Sequence, residues 1–506
     1  MKDSQQSQTG KGIFRNVLYG FSTWLLPLGL SFLATPLIVR TLGNQDYGIY
    51  ALVLSLIGYT FNLNFGRAVT KYVAEFRAAG EAEKIREVIS ASFFINLIFG
   101  FAGVLLLAVS ANWLVRDVFQ IAEADQTKTV DALYIAALAV FSLIVSQVFS
   151  AVLQGIYRFD VYSKIYNFNN VATLAGSLWL AYNGYGLLSL LIWNLLINLA
   201  ALVLYVFGVK RLLPEFGIKS RFRADFLKMV LKYSAGIVSY QILGNLLILF
   251  ERGWITRQLG AENLTLYVVP MSLSFYIHGF VASIILIVFP LASELQNNPE
   301  KLLRLYHKAT KIVCFFVFFL ATLLIVQSRL FLSLWMGADF AEATYFLLIV
   351  HTITFSLVAI QSVSWQLTEG LGHPSYNTFI FMLCLIVNVC VIIAVTENYG
   401  ITGIAFGRLV SFCLLFLSVF YVEKWFFKAV QIKFWFNIIS RLISAAAVSA
   451  VVQYVIINRF DAGWLTFLTA AATGGIIYCA ALWLTGFVTG EEKLMLKNIL
   501  SRGNLR

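Results

Sequence analysis

Long apolar runs recur along the whole of this sequence and constrain its fold more than any other feature. A helix that crosses the hydrocarbon core of a bilayer needs about twenty mainly apolar residues. Runs of this kind, separated by polar or glycine-marked breaks, are predicted at residues 16–39, 46–66, 88–112, 132–153, 163–182, 187–207, 234–256, 264–290, 310–327, 343–367, 376–396, 401–422, 437–457 and 464–488. Hydrophobic residues make up 60% of the chain and charged residues 12%, which excludes a soluble globular protein. The sequence therefore predicts an all-α polytopic membrane protein with about 14 transmembrane helices.

One turn between apolar runs occurs twice in the chain. Residues 38–56 align with residues 255–273 at a constant offset and match at seven of nineteen positions, where chance in this composition would give roughly one or two. The same offset pairs the Glu-Lys sequence at 83–84 with that at 300–301. An internal duplication in a membrane protein indicates a transporter built from two pseudo-symmetric lobes, here of six helices each.

The predicted domains follow from this duplication. Residues 1–208 form an N-lobe with spans 1–6, and residues 234–422 form a C-lobe with spans 7–12. The basic connection at 209–233 is interpreted as a cytoplasmic inter-lobe linker that forms an amphipathic helix on the inner surface. Residues 437–488 hold spans 13 and 14, which have no counterpart in the repeat, and residues 489–506 form a cytoplasmic tail.

Lysine and arginine residues concentrate on one side of the predicted spans. With the amino terminus inside, twenty-eight of the 37 lie in inner segments and seven lie at outer ends. Cytoplasmic loops of membrane proteins carry such an excess. Both termini are therefore predicted to be cytoplasmic. The net charge of +12 is explained by topology, so no nucleic-acid partner is predicted.

The sequence offers no constellation typical of an enzyme. The longest predicted outer loop, residues 113–131, contains no histidine, and the chain has no nucleotide-binding glycine loop. The five cysteines lie in apolar runs without CxxC spacing, so no metal site or disulfide framework is predicted. We expect no cofactor and no enzymatic activity. A membrane glycosyltransferase or polymerase is the alternative from a different class, and it would need an outer catalytic site.

Ionisable residues within the predicted spans are the candidates for function, because such groups are costly in a bilayer. Arg408 lies about 12 Å below the outer face at helical rise, and His278 falls near the middle of span 8. Arg67 and Lys71 lie one helical turn apart at the inner end of span 2. Glu251, at the end of span 7, is the best carboxylate for ion coupling. Snorkelling, helix packing, the positive-inside bias or an internal salt bridge would explain the same residues structurally.

The sign of these charges favours an anionic substrate. A pyrophosphate carries about two negative charges, and unpaired cations in a cavity offset part of its desolvation cost. Extrusion of cationic drugs would instead favour buried carboxylates.

Several motifs along the chain are similar to those of a known family. They are Asn16, Tyr19, Pro36, Arg40, Leu42-Gly43, Asp46-Tyr47-Gly48-Ile49-Tyr50, Gly66-Arg67-Ala68, Lys71-Tyr72, Leu334-Trp335-Met336-Gly337, Phe340-Ala341-Glu342-Ala343, Glu369-Gly370 and Asn398-Tyr399-Gly400-Ile401-Thr402-Gly403-Ile404-Ala405. The chain resembles bacterial oligosaccharide flippases of the polysaccharide transporter type, in the multidrug and oligosaccharidyl-lipid exporter superfamily. The resemblance covers nearly the whole chain, and its motifs are mostly structural.

The resemblance implies two six-span lobes around a central cavity that opens alternately to each side. It also implies movement of undecaprenyl-diphosphate-linked oligosaccharides without ATP, driven by an ion gradient or the membrane potential. At positions that match the family, the resemblance assigns the binding of diphosphate or acidic sugars to Arg67, and less directly to Arg408 and His278. Arg40 and Arg257 match the repeated turn and are expected to cap helix ends or to gate.

The predicted function is therefore that of a flippase for lipid-linked units of O-antigen, capsule or exopolysaccharide in the bacterial cytoplasmic membrane. A lipid II flippase of peptidoglycan synthesis and a multidrug extruder are the alternatives within the superfamily. The expected partners are the lipid-linked oligosaccharide and membrane lipids, with a polysaccharide polymerase and a chain-length regulator as further candidates.

Overall fold

Helices form the whole of the regular structure in the part of the chain that is described. A computed structural model describes residues 10–60, 66–213, 217–218, 223–285 and 288–490, and every regular element within these ranges is helical. The helices are α1 (Gly10–Ser55), α2 (Gly66–Ala78), α3 (Ala82–Trp113), α4 (Glu123–Gly155), α5 (Phe159–Tyr182), α6 (Leu187–Leu212), α7 (Ala224–Leu259), α8 (Ala261–Ile285), α9 (Val288–Glu294), α10 (Pro299–Val326), α11 (Ser328–Trp335), α12 (Ala338–Gly370), α13 (Pro374–Cys413), α14 (Leu417–Tyr421), α15 (Ile432–Arg459) and α16 (Trp464–Leu484). The predicted all-helical fold class is confirmed.

Two of these helices are too long to be single spans. Helix α1 contains 46 residues, and a straight helix of that length would measure about 69 Å, more than twice the thickness of the hydrocarbon core. It is broken at Gly43, whose φ of 77° and ψ of 164° are not helical. Helix α13 is broken in the same manner at Gly400. Helix α1 covers the predicted span 16–39 and the first part of span 46–66, and α13 covers the predicted span 376–396 and the first part of span 401–422.

Ten of the described helical segments are long and apolar enough to cross a membrane, by length and composition. Helices α5 and α7 coincide with two further predicted spans, but they carry more polar and charged residues and are not among the ten. The protein is therefore a multi-pass membrane protein. The count of fourteen spans stays a prediction.

The predicted outer loop at residues 113–131 is mostly helical, so that prediction is wrong. Helix α3 reaches Trp113 and continues into a π-helical turn at Leu114–Val118, and α4 already begins at Glu123. Hydropathy detects only the part of a helix that lies in hydrocarbon. A helix with polar residues continues into water, because its backbone hydrogen bonds are satisfied within the segment.

The predicted inter-lobe linker is only partly described. Helix α6 ends at Leu212 and α7 begins at Ala224. Residues 214–216 and 219–222 lie outside the described part of the chain, as do residues 1–9 and 491–506. Residues 224–233 are the first turns of α7 and not a separate surface helix. Within them Phe226 and Val230 pack in a buried cluster with residues of α2 and α3.

The described residues divide into two compact units by their contacts. The first unit runs to Val268 and includes Ile393–Ile401, and the second consists of Val269–Ile392 and the chain from Thr402. In the first unit, buried aliphatic side chains of α2, α3, α4 and α6 form one core, with Val152 and Leu153 fully buried at its centre. The predicted lobe boundaries at residues 208 and 234 stay a prediction.

The core of the second unit joins α8, α10 and α12 to the last two helices. Leu442 of α15 and Tyr478 of α16 are fully buried in this cluster. The Tyr478 hydroxyl donates to the carbonyl of Phe315 at 2.9 Å, and the Gln327 side-chain amide donates to Gln453 Oε1 at 2.9 Å. The last two helices therefore pack against α10 through a buried interface with polar contacts.

Candidate functional site

The first unit contains a polar cavity of about 550 Å³, a volume within the range of small-molecule sites. Helices α2, α4, α5 and α6 form its walls. The lining residues are Gly66, Arg67, Thr70, Leu143, Ser146, Gln147, Ser150, Ala151, Gln154, Tyr162, Tyr166, Asn169, Asn198, Ala201 and Tyr205. Most of these side chains carry a hydroxyl or an amide, so the cavity is suited to a ligand rich in hydrogen-bonding groups.

The polar lining arises from one face on each of three helices. The lining positions are Leu143, Ser146, Gln147, Ser150, Ala151 and Gln154 on α4; Tyr162, Tyr166 and Asn169 on α5; and Asn198, Ala201 and Tyr205 on α6. Spacings of three and four residues place side chains on the same helix face. Polar groups are costly against lipid, so these faces turn inward and leave apolar faces outside.

Two asparagines of the cavity belong to a chain of amides. The Asn169 amide donates to Asn198 Oδ1 at 3.1 Å, and the Asn198 amide donates to Asn194 Oδ1 at 2.8 Å. Each amide has two N–H donors and an acceptor oxygen with two lone pairs, so these two bonds use part of its capacity. The chain fixes the orientation of the Asn198 side chain, whose residue is 6% exposed.

Three tyrosines form the aromatic part of the wall. The ring centroid of Tyr162 lies 5.8 Å from that of Tyr166 and 6.4 Å from that of Tyr205. The cavity therefore combines aromatic faces with amides and hydroxyls.

Arg67 is the only charged side chain in the described lining of the cavity. It lies in the first turn of α2, and α2 is positioned on α4 by close backbone contact. The Thr70 hydroxyl donates to the Ala151 carbonyl at 3.1 Å. A Cβ at Gly155 would lie 3.0 Å from the Thr70 carbonyl oxygen, so this crossing requires a residue without a side chain. The small residues of α4 thus bring Arg67 to the cavity.

Lys71, predicted to share a face with Arg67, is not among the residues that line this cavity. Its ammonium lies 4.8 Å from the ring centroid of Tyr72 and 4.5 Å from that of Tyr233. These are cation–π distances. The structure therefore places Lys71 between α2 and α7.

The other two predicted substrate ligands, His278 and Arg408, belong to the second unit and are linked through aromatic rings. The His278 ring lies 5.7 Å from that of Phe275, and Phe275 lies 5.4 Å from Phe355. The Arg408 guanidinium lies 5.9 Å from the Phe355 ring and 5.3 Å from that of Phe412. The two residues thus come close to one aromatic group, and Arg408 is buried, at 3% exposure.

A buried histidine of α12 was missed by the sequence analysis. His351 is fully buried, and Arg408 of α13 is its electrostatic neighbour. It sits in a run that reads as an ordinary apolar span, and only the packing of α12 on α13 identifies its neighbour.

Glu251, the predicted coupling carboxylate, is also buried, at 1% exposure. The Tyr267 hydroxyl donates to Glu251 Oε2 over 3.4 Å, whereas Arg252 Nη1 donates to the Ala51 carbonyl at 3.0 Å. The adjacent side chains of Glu251 and Arg252 thus have different partners, as their angular separation on a helix predicts.

The arginines of the repeated turn lie at exposed positions. Arg257 Nη1 is 3.4 Å from the Asp117 carbonyl oxygen, a contact at a helix end, and Arg40 is exposed beside the kink of α1. Neither arginine lines the polar cavity. Their expected roles in capping or gating stay a prediction.

Comparison with known proteins identifies the family. Residues 37–345, more than half of the chain, match the family model described as "Polysaccharide biosynthesis protein". A Shigella flexneri protein described as a candidate O-antigen transporter is 21% identical over 404 residues, which cover 78% of this chain and 93% of that protein.

Solved structures show the same fold at low identity. The lipid II flippase MurJ in an inward closed conformation has a TM-score of 0.71 at 14% identity, covering 93% of this chain and 99% of that one. An inward-facing multidrug resistance MATE family transporter of the MOP superfamily has a TM-score of 0.65 at 14% identity, covering 78% and 93%. The family resemblance seen in the sequence is confirmed. The chain belongs to the polysaccharide biosynthesis protein family and has the fold of MOP superfamily transporters.

Proposed function

We propose that this protein is a flippase that moves undecaprenyl-diphosphate-linked oligosaccharide units from the inner to the outer leaflet of the bacterial cytoplasmic membrane by alternating access. The units would be precursors of O-antigen, capsule or exopolysaccharide. The polar cavity of the first unit carries the proposal, because its amides, tyrosines and single arginine suit a sugar joined to an anionic group. The family match and the Shigella flexneri relative support this class of substrate.

The uncharged lining suits a carbohydrate. Sugar hydroxyls both donate and accept hydrogen bonds, and so do side chains such as Asn169, Asn198 and Gln154. The tyrosine rings present apolar faces with a hydroxyl at one end, which fits the mixed surface of a pyranose ring. In this proposal the cavity holds part of the oligosaccharide.

Arg67 is proposed to hold the anionic group. A guanidinium binds phosphate oxygens through two parallel N–H groups. Arg408 and His278 of the second unit stay predicted contacts of the substrate.

The charge of the cavity distinguishes the alternatives within the superfamily. A multidrug extruder for cations would place carboxylates around its ligand, and the described lining of this cavity contains no carboxylate. A lipid II flippase would share the diphosphate chemistry, so the identity of the sugar decides between that function and this one. We also propose that the protein works beside a polysaccharide polymerase and a chain-length regulator.

Replacement of Arg67 tests the binding role. Arg67→Gln keeps hydrogen-bonding capacity and removes the charge, and hydrogen bonds to charged groups contribute roughly 1.5–3 kcal/mol. We expect a loss of apparent affinity of about tenfold or more. Flipping of a fluorescent undecaprenyl-diphosphate-linked disaccharide in proteoliposomes measures it, with a lipid II analogue as the competing probe.

Lys84→Gln is the matched control, since Lys84 is an exposed cation paired with Glu81 at 2.8 Å and surface pairs contribute little. Equal transport by Arg67→Gln and the parent protein would refute the role of Arg67. If the protein preferred the lipid II analogue, the proposed substrate would be wrong and the lipid II flippase alternative would be correct.

Replacement of Glu251 tests the proposed ion coupling. Glu251 is buried, and a carboxylate within a membrane span is costly and therefore a candidate for ion coupling. We expect Glu251→Gln to abolish stimulation by an imposed proton gradient while exchange without a gradient persists. Glu397→Gln, at an exposed position, is the control. Stimulation equal to that of the parent protein would exclude Glu251 as the coupling residue.

A further inference from the structure

A second pocket, of about 400 Å³, lies on the opposite side of the α5–α6 pair from the polar cavity. Its lining is apolar except for two arginines, Arg158 and Arg211. On α5, Val161 and Ile165 line this pocket, whereas Tyr162 and Tyr166 line the polar cavity. The α5–α6 pair therefore separates the two.

The pocket is open along an apolar wall. Phe207 is 61% exposed and Leu204 is 38% exposed, as expected for side chains that contact acyl chains in a membrane. Gly208 also lines the pocket, and a Cβ added there would be in ordinary contact with Val161, at 3.4 Å.

Two guanidinium groups lie at one end of this apolar wall. Arg158 precedes α5, and Arg211 occupies the last turn of α6, both on the side predicted to be cytoplasmic. Arg158 donates from Nε and Nη2 to the two oxygens of Asp160 at 2.8 and 2.9 Å. Its side chain remains 42% exposed, and a guanidinium has five N–H donors, so donors remain for a ligand.

Among the described residues that line this end of the pocket or pair there, Arg158, Arg211 and Asp160 together carry about one positive charge. The hydrogen bonds from Arg158 lower the pKa of Asp160, so the carboxylate is ionised at neutral pH and balances one arginine. Among the described residues, Arg211 forms no ion pair. A single phosphodiester matches this excess, whereas a diphosphate carries more negative charge than the site offsets.

We propose that the pocket between α5 and α6 binds an anionic glycerophospholipid, with its phosphate on Arg158 and Arg211 and an acyl chain along Leu204 and Phe207. Basic pockets between membrane helices on the cytoplasmic side are suited to anionic headgroups. The proposal is independent of the transported substrate, because the pocket lies outside the polar cavity.

Lipid binding to purified full-length protein tests this proposal. Native mass spectrometry would compare dioleoyl phosphatidylglycerol, dioleoyl phosphatidylcholine and undecaprenyl phosphate at equal concentrations. We expect phosphatidylglycerol to bind most tightly. A basic residue near an anionic lipid contributes about 1 kcal/mol, so Arg158→Gln and Arg211→Gln are each expected to weaken its binding about five-fold. Arg211→Lys, which keeps the charge, is expected to restore most of it and shows that the site is folded.

Lys210→Gln is the matched control, because Lys210 is exposed beside Arg211 and does not line the pocket. Its phosphatidylglycerol affinity is expected to change less than about two-fold. An equal loss in Lys210→Gln would mean that the lipid responds to general surface charge. Equal binding of phosphatidylcholine, or tighter binding of undecaprenyl phosphate, would also overturn the proposal.

Discussion

At the residue scale, the repeated turn depends on a glycine conformation that the two copies share. Gly43 has φ 77° and ψ 164°, and Gly260 has φ 87° and ψ 163°. This region is essentially restricted to glycine. The seven matching positions in the sequence include this glycine, and its conserved backbone geometry within the molecule strengthens the case for a duplication.

Alanine at Gly260 is therefore expected to destabilise the protein. Nothing lies within 4 Å of the added Cβ, so the cost is backbone strain of about 1–3 kcal/mol. Thermal unfolding in detergent measures it as a lowered melting temperature. Gly29→Ala is the control, because Gly29 lies in α1 with equally open space around it. Equal melting temperatures for Gly260→Ala and Gly29→Ala would show that a side chain at Gly260 does not strain the backbone.

The candidate site illustrates what residue patterns can predict. The sequence predicted Arg67 as a site residue because a charged side chain is conspicuous in an apolar sequence. The structure places Arg67 in the cavity lining. Asn169, Asn198 and Tyr166 were missed, although their three- and four-residue spacings on α5 and α6 are readable in the sequence. A single polar residue in a membrane helix often forms a hydrogen bond to a neighbouring helix and does not indicate a binding site. Only the packing of three polar faces around one space distinguishes a cavity.

At the element scale, the two copies of the repeat contact each other through equivalent positions. A Cβ at Gly48 would lie 1.8 Å from the Ala261 carbonyl oxygen, and the Thr265 hydroxyl donates to the Asn44 carbonyl at 2.5 Å. At the repeat offset, Gly48 is equivalent to Thr265 and Asn44 is equivalent to Ala261. The two contacts therefore exchange with each other, as across a two-fold axis.

Crosslinking this contact tests whether it opens during transport. Alternating access would require the outer ends of the two copies to separate, so a crosslink between Asn44→Cys and Thr265→Cys is expected to stop flipping. A short thiol-specific crosslinker is applied after the exposed native cysteines Cys390, Cys413 and Cys479 are replaced by alanine. Single-cysteine variants are the controls, and reduction of the crosslink should restore activity. Full transport by the crosslinked protein would show that this contact stays closed.

At the scale of the whole molecule, apolar runs predicted the helical class but not the continuity of the helices. Span 1 and the first part of span 2 belong to one helix interrupted at Gly43, since a single non-helical residue turns the chain without a loop. The family motifs predicted the fold because they mark such turns. The linker and the division into units depend on contacts between distant residues, which periodicity along one helix does not report.

The orientation of the molecule is a prediction from its lysines and arginines, and cysteine labelling in intact cells can test it. Asn183 is exposed between α5 and α6, and Glu81, between α2 and α3, is partly exposed. The positive-inside bias places the first on the outer side and the second on the cytoplasmic side. In a protein without other exposed cysteines, a membrane-impermeant maleimide is expected to label Asn183→Cys before lysis and Glu81→Cys only after it. The reverse pattern would invert the predicted topology and with it the direction of the proposed transport.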